Sequence, residues 1–192
     1  MSNNNNTCDV FITKKNEKLL ISYNNLEDFK NTYIAYNLSF EKEKTQQDWI
    51  DYFPKVLESL EKRDLNYYFH AIKDEQNNVI SFILGNFYED RPGELYVDYL
   101  GTVPEYKGQR LAWRLMLSLF DYYPHLHTIE VDTLESADGF YRKHGLTKIG
   151  EKDALHPIIS PEPIHLAIYQ LYRRDVTNEL KKIEETRKKA SC

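Results

Sequence analysis

The stretch from Arg110 to Tyr122 constrains the fold more than any other part of this sequence. Arg110, Arg114, Ser118 and Asp121 make one polar stripe, and nearly every residue between them is apolar. At 3.6 residues per turn this predicts a helix wetted along a single line and buried around the rest of its circumference. A helix of that kind demands a sizeable core. The chain can supply one: 41% of its residues are hydrophobic and 14% aromatic, with 15 Tyr and 9 Phe. Its 192 residues and 22.8 kDa suit one ordinary domain. No apolar run approaches the roughly 20 residues of a membrane-spanning helix. Cys8 and Cys192 are too few and too far apart in sequence for a disulfide framework or a zinc site, which suits a reducing compartment. Met1 to Asn6 carries no secretion-type signal, so the expected location is cytoplasmic, with no membrane partner.

Charge is unevenly spread. The total is −5, yet residues 173–192 hold seven basic side chains (173, 174, 181, 182, 187, 188, 189) against four acidic ones (175, 179, 184, 185). That leaves +3 in this terminal segment and −8 in residues 1–172. An acidic body argues against nucleic acid as a ligand, because neutralising phosphates takes clustered cations, and favours a cationic partner.

Along the chain, residues 1–9 read as an unstructured start and Val10-Phe11-Ile12 as a short strand. Leu26, Phe29, Tyr33 and Ile34 fall at helical spacing, as do Trp49, Phe53, Val56, Leu57 and Leu60, with Pro54 marking a kink or a fresh helix start. Tyr67–Lys73 and Val79–Phe87 read as a hairpin across Asp74–Asn78, and Glu94–Thr102 as a further strand. Beyond the buried helix come an alternating strand over Thr128–Thr133 and a helix over Ala137–His144 that Gly145 stops. Residues 156–163, with three prolines, read as an irregular loop. A last strand over Ile164–Tyr172 precedes a charged C-terminal helix over 173–192, which gives one domain over 10–172 and an appended tail. Six scattered histidines lack metal-ligand spacing, so no metal is expected.

The strongest functional feature is the order strand, Lys107-Gly108-Gln109-Arg110-Leu111-Ala112, buried helix. A loop that opens into a helix N-terminus presents backbone N–H donors and the positive end of the dipole, for which phosphate is the natural guest. Lys107, Arg110 and Arg114 add cations there, although such residues equally suit a solvated surface and Gly108 a simple turn. On the strand before the loop, Asp98 is a charge between Tyr96-Val97 and Tyr99-Leu100; Glu94, four residues earlier, falls on the same face of a regular strand and equally suits a turn edge.

Two separated motifs carry a resemblance. The segment Leu100-Gly101-Thr102-Val103-Pro104-Glu105-Tyr106-Lys107-Gly108-Gln109-Arg110-Leu111-Ala112, followed one strand later by Ala137-Asp138-Gly139-Phe140-Tyr141-Arg142-Lys143-His144-Gly145-Leu146, resembles the GCN5-related N-acetyltransferases. Lys107 and Ala112 take the ends of the family's coenzyme loop, Arg110 stands where its middle glycine belongs, and Leu134 replaces an asparagine common before the second motif. The resemblance implies an α/β (α+β) fold, a mixed and mostly antiparallel sheet with helices on both faces. It implies acetyl transfer from acetyl-CoA to a primary amine, whether a small molecule, a polyamine, an aminoglycoside-like amine or a lysine or N-terminal amine of a protein, by direct attack in a ternary complex; the alternative is a non-catalytic member that binds an acyl-CoA or a partner. It places the coenzyme against Leu100, Thr102, Val103, Lys107, Gly108, Gln109, Arg110, Leu111, Ala112 and Arg114, with backbone N–H near Thr102 and Val103 polarising the thioester. Arg110 then either restricts the diphosphate or adds a cation to it. An alkyl amine of pKa about 10.4 is neutral in only about one part in 10³ at pH 7, a deficit of roughly 4 kcal/mol that a base or desolvation must offset; Asp98, and after it Glu94, are the candidates for that base. Tyr141 matches the tyrosine that protonates the departing thiolate, and otherwise reads as a core aromatic. Tyr33, Tyr36, Tyr88, Tyr96 and Tyr99 with Glu89 and Asp90 are candidates for a cationic acceptor's pocket.

Overall fold

A computed structural model describes residues 7–12, 18–32, 54–62, 66–156 and 160–190. Eight strands make one sheet: β1 (Thr7–Ile12), β2 (Lys18–Tyr23), β3 (Tyr67–Lys73), β4 (Val79–Phe87), β5 (Glu94–Thr102), β6 (Thr128–Thr133), β7 (Thr147–His156) and β8 (Ser160–Tyr172), in the order β1-β2-β3-β4-β5-β6-β8-β7. Every pair is antiparallel except β5 with β6. Helical segments lie at 26–32 (α1) and 54–61 (α2), followed by α3 (Leu111–Tyr122), α4 (Glu135–Lys143) and α5 (Arg173–Ala190).

Helices cover both faces. Phe29 of α1 meets Phe69 edge-on at 5.3 Å, whereas Ser118 of α3 sits 2.9 Å from Nδ1 of His70. Phe69 and His70 are consecutive in β3, and consecutive strand residues point to opposite faces, so α1 and α3 sandwich the sheet. Asn25 caps α1 by accepting the Glu27 N–H at 2.9 Å, and buried Asp28 pins that helix through Ser22 and, at 3.1 Å, Lys73. Burial holds His70 neutral, its pKa lowered to about 3. The apolar circumference of α3 is buried as its pattern requires, from Leu111 and Trp113 through Leu119 and Phe120, but Ser118, expected on the wetted stripe, is buried as well, its hydroxyl donating to the Leu115 carbonyl at 2.7 Å beside His70.

Several expectations need correcting. The first strand begins at Thr7, inside the stretch read as an unstructured start. Lys18-Leu19-Leu20-Ile21-Ser22-Tyr23 is a strand that sequence reading passed over despite its apolar run. So is β7, whose charged sequence Thr147-Lys148-Ile149-Gly150-Glu151-Lys152-Asp153 carries no burial signal; it is an edge strand held by its ladder to β8. Residues 160–163, expected to be irregular, open β8. Among the described residues this part of β8 pairs only with β7, since the β6 ladder starts at Ala167, and one-sided pairing tolerates Pro161 and Pro163. The helix α5 is no detached tail: Val176 lies in the core and Glu179 accepts the Trp113 indole N–H at 2.9 Å. Tyr33, Tyr36, Trp49 and Phe53 lie outside the described residues.

Candidate active site at the β5–β6 fork

The parallel pairing of β5 with β6 runs from Glu94↔Thr128 to Val97↔Val131 and stops. Beyond it the two strands diverge, leaving the second half of β5 with β4 as its one partner strand among the described residues. The divergence begins at a bulge. Leu84 pairs with Tyr99 and Gly85 with Val97, so Asp98 is an extra residue in β5 with no opposite number in β4. Bulges bend a strand and re-aim its side chains, and the period-two argument that puts Glu94 and Asp98 on one face does not carry across one.

Past the bulge, the Val103 N–H donates to the Ile80 carbonyl at 2.9 Å. Antiparallel ladders alternate, so the N–H groups of Thr102 and Leu100 turn away from β4 and into the fork. The donors available to a thioester carbonyl there are therefore Thr102 and Leu100; Val103, expected in that role, is already engaged.

The two acidic candidates sit in different electrostatic settings. Arg91 holds Glu94 at 3.1 Å and Glu130 at 3.4 Å. Among the described residues Asp98 has only the neutral Asn86 amide, 2.9 Å from its Oδ2, and burial raises its pKa to about 6 against the lowering effect of that hydrogen bond. A carboxylate of that pKa is ionised at neutral pH and is a competent proton acceptor, whereas Glu94 is already paired with a guanidinium.

On the other arm, Tyr141 of α4 is buried, stacks on Tyr169 at 5.8 Å and reaches the Thr133 hydroxyl at the end of β6. Burial pushes its phenol upward and the Thr133 bond partly offsets this, so the group stays protonated at neutral pH. It can donate a proton but cannot supply one spontaneously.

Below the fork, Pro104–Tyr106 forms one 3₁₀ turn and the chain enters α3 through two left-handed residues, Gly108 (φ 81°) and Arg110 (φ 62°). A Cβ placed on Gly108 would meet nothing within 4 Å, which leaves the loop open on that side. The remaining non-glycine residues with positive φ among those described are Asn24 and Asn77, a type that tolerates the region; an arginine does so at a cost of about 1 kcal/mol or more. Backbone shape is thus retained at Arg110 without the glycine. Arg110→Gly is expected to stabilise the ligand-free protein by about 1 kcal/mol, a rise in Tm of roughly 2–4 °C by thermal denaturation. Arg114 is half-buried one turn on, and burial together with the nearby Arg110 charge presses its pKa downward. Two like charges at a helix start whose first N–H groups have no intrahelical acceptor suit an anion. Leu111 is buried and offers only its backbone, Ala112 and Gln109 are half-buried, and Lys107 is exposed. The N–H groups turned into the fork, the open loop and its cations match the polarity of a pantetheine-linked diphosphate.

Residues 26–146 match the acetyltransferase (GNAT) family. The chain belongs to that family. Its members use acetyl-CoA as co-substrate, and this GNAT chain is accordingly an acetyltransferase. Among solved structures it is similar to a chimera of the Vibrio cholerae spermidine N-acetyltransferase, at TM-score 0.64 and 15% identity over 83% of this chain and 98% of that one. It is also similar to the ribosomal-protein-S18-alanine N-acetyltransferase of Escherichia coli, at TM-score 0.59 and 13% identity over 80% and 93%. At such identities the likeness is one of fold. No curated protein sequence is similar enough to this chain to count as a relative. Among the described residues, no group of three or more His, Cys, Asp or Glu is placed to hold a metal, and no helix is long and apolar enough to cross a membrane.

Sequence reasoning missed Asn86, Thr133 and the Tyr96–Asp132 pair, in which the Tyr96 hydroxyl donates to Asp132 Oδ2 at 2.8 Å.

Proposed function

We propose that this protein transfers the acetyl group of acetyl-CoA to a primary amine by direct attack in a ternary complex, in the cytoplasm and without a metal. The observation that carries the reading is the fork itself, with a carboxylate of raised pKa at the bulge on one arm and a protonated tyrosine of α4 bonded to the end of the other. Acetyl-CoA supplies an activated thioester. The N–H groups of Leu100 and Thr102 hold its carbonyl oxygen and stabilise the negative charge that develops there. The loop from Lys107 to Ala112, with Arg114, holds the diphosphate. Asp98 accepts the proton of the attacking amine, directly or through one water, and Tyr141 gives its proton to the leaving sulfur. Against thiols near about 8.5 and phenols near about 10 that last transfer is uphill, so Tyr141 contributes by position.

The rival reading, a member of the fold that binds acyl-CoA without turnover, rests on Arg110 and Leu134. One experiment separates the two: thermal stability with and without acetyl-CoA, then release of free coenzyme A over a panel of aliphatic amines, aminoglycosides and lysine peptides. Absence of any shift would sink the coenzyme assignment, and a shift with no turnover would favour the rival. Tyr141→Phe is expected to lower kcat about 10²-fold with acetyl-CoA affinity unchanged; equal kcat would remove Tyr141 from the acid role.

A further inference from the structure

The first residue beyond the paired part of each arm is an aspartate: Asp98 on β5 and Asp132 on β6. Among the described residues Asp98 has an amide partner and no cation. The Asp132 side chain is only 4% exposed, and its Oδ2 takes the Tyr96 hydroxyl and the ammonium of Lys152. Its Oδ1 is buried with no hydrogen-bond partner among the described residues. Lys152 comes from the edge strand β7, its side chain is 44% exposed, and its Nζ also lies 5.8 Å from the centroid of the Tyr96 ring. An ammonium between a buried carboxylate and an aromatic face is the arrangement by which proteins bind alkylammonium ligands. A purely structural ion pair normally satisfies both carboxylate oxygens once they are buried, and this one leaves an oxygen unpaired. The same side of the sheet continues the pattern: Tyr88 donates to Glu130 at 2.6 Å, and Arg91 lies 3.3 Å over the Tyr88 ring.

We propose that Asp132 and Tyr96 form a subsite for the second, non-reacting ammonium of a di- or polyamine acceptor, and that Lys152 fills it in the absence of acceptor. This rests on the acetyltransferase reading above. The two aspartates divide the work: the reacting amine must lose its proton, which Asp98 accepts, whereas the second amine must keep its charge, which Asp132 neutralises. Lys152 competes with the acceptor for the same carboxylate and swings out to solvent when the acceptor binds.

The test compares 1,4-diaminobutane, n-butylamine and a lysine peptide as acceptors for the wild type, Asp132→Asn and Lys152→Met, with calorimetric binding of 1,4-diaminobutane to coenzyme-free protein as a readout that needs no turnover. The wild type is expected to favour the diamine over the monoamine at least tenfold in kcat/KM. Asp132→Asn should abolish that preference through KM, leaving the monoamine unaffected, and weaken calorimetric binding about tenfold. Lys152→Met should act in the opposite direction, lowering KM and Kd for the diamine several-fold. The opposite signs matter, because loss of a merely structural ion pair from either side weakens the protein in the same direction. No diamine preference in the wild type, tighter binding in Asp132→Asn, weaker binding in Lys152→Met, or a lysine peptide preferred over the diamine and insensitive to Asp132→Asn would each overturn the proposal. Failure of the acetyltransferase reading shows itself differently: no amine is turned over and acetyl-CoA gives no thermal shift, whatever the diamine does in the calorimeter.

Discussion

Asp98→Asn is expected to lower kcat/KM about 10²–10³-fold at pH 7.5 while leaving acetyl-CoA affinity within about twofold, because it removes the proton acceptor and nothing that touches the diphosphate. The pH profile identifies the group. In the wild type a break near pH 6 should be superimposed on the acceptor amine's own titration, with rate lost as pH falls through the Asp98 pKa of about 6. In the variant that break should be gone. Stability supplies an independent check of opposite sign. The native pKa is raised above the unfolded value, so the ionised carboxylate costs stability; the cost is absent below pH 4, grows between 4 and 6, and is full above 6. Asp98→Asn should therefore raise Tm at pH 7.5 and change it little at pH 4. Loss of activity with a lowered Tm at pH 7.5 would indicate a structural carboxylate instead.

Gly85→Ala should unfold the site rather than tune it. A Cβ at this position would lie 2.0 Å from the Tyr96 carbonyl oxygen and 2.5 Å from the Tyr68 hydroxyl, and the first of these is backbone, which cannot rotate away. The missing side chain is what lets buried Tyr68 donate to that carbonyl at 3.3 Å beside the bulge. The expected cost is about 3 kcal/mol, a fall in Tm of roughly 6–12 °C, with activity reduced as the bulge that sets Asp98 is displaced. Gly150→Ala is the control: its Cβ would meet Ile168 Cδ1 at 3.8 Å, an ordinary contact, and Tm should move by no more than about 2 °C. Equal effects of the two substitutions would contradict the account of the bulge.

Legibility in the sequence followed the strength of the local signal. The buried helix, the hairpin of β3 and β4, and the strand β6 were readable because residue pattern and burial coincide there. The edge strand β7 was not, since its side chains face water and its existence depends on backbone pairing with β8, which leaves no mark on composition. Asp98 stood out in the sequence as a charge inside an apolar strand, ahead of Glu94 at the strand edge, and Tyr141 by its place in the second family motif. Arg91, which reaches forward three residues to Glu94 and leaves Asp98 without a cation among the described residues, supplies a physical reason for that order.

By itself, then, the sequence determined the layered α/β domain, the loop entering α3 and the residue types available for acetyl transfer, because periodicity and motif spacing are local properties of the chain. Tertiary structure decided where the pairing of β5 and β6 ends, which N–H groups face the fork, and which of two carboxylates is left unneutralised. Those outcomes depend on ladder register and on neighbours brought together from distant segments. Asn86, Thr133 and Lys152 acquire their relation to Asp98, Tyr141 and Asp132 only when the sheet has formed.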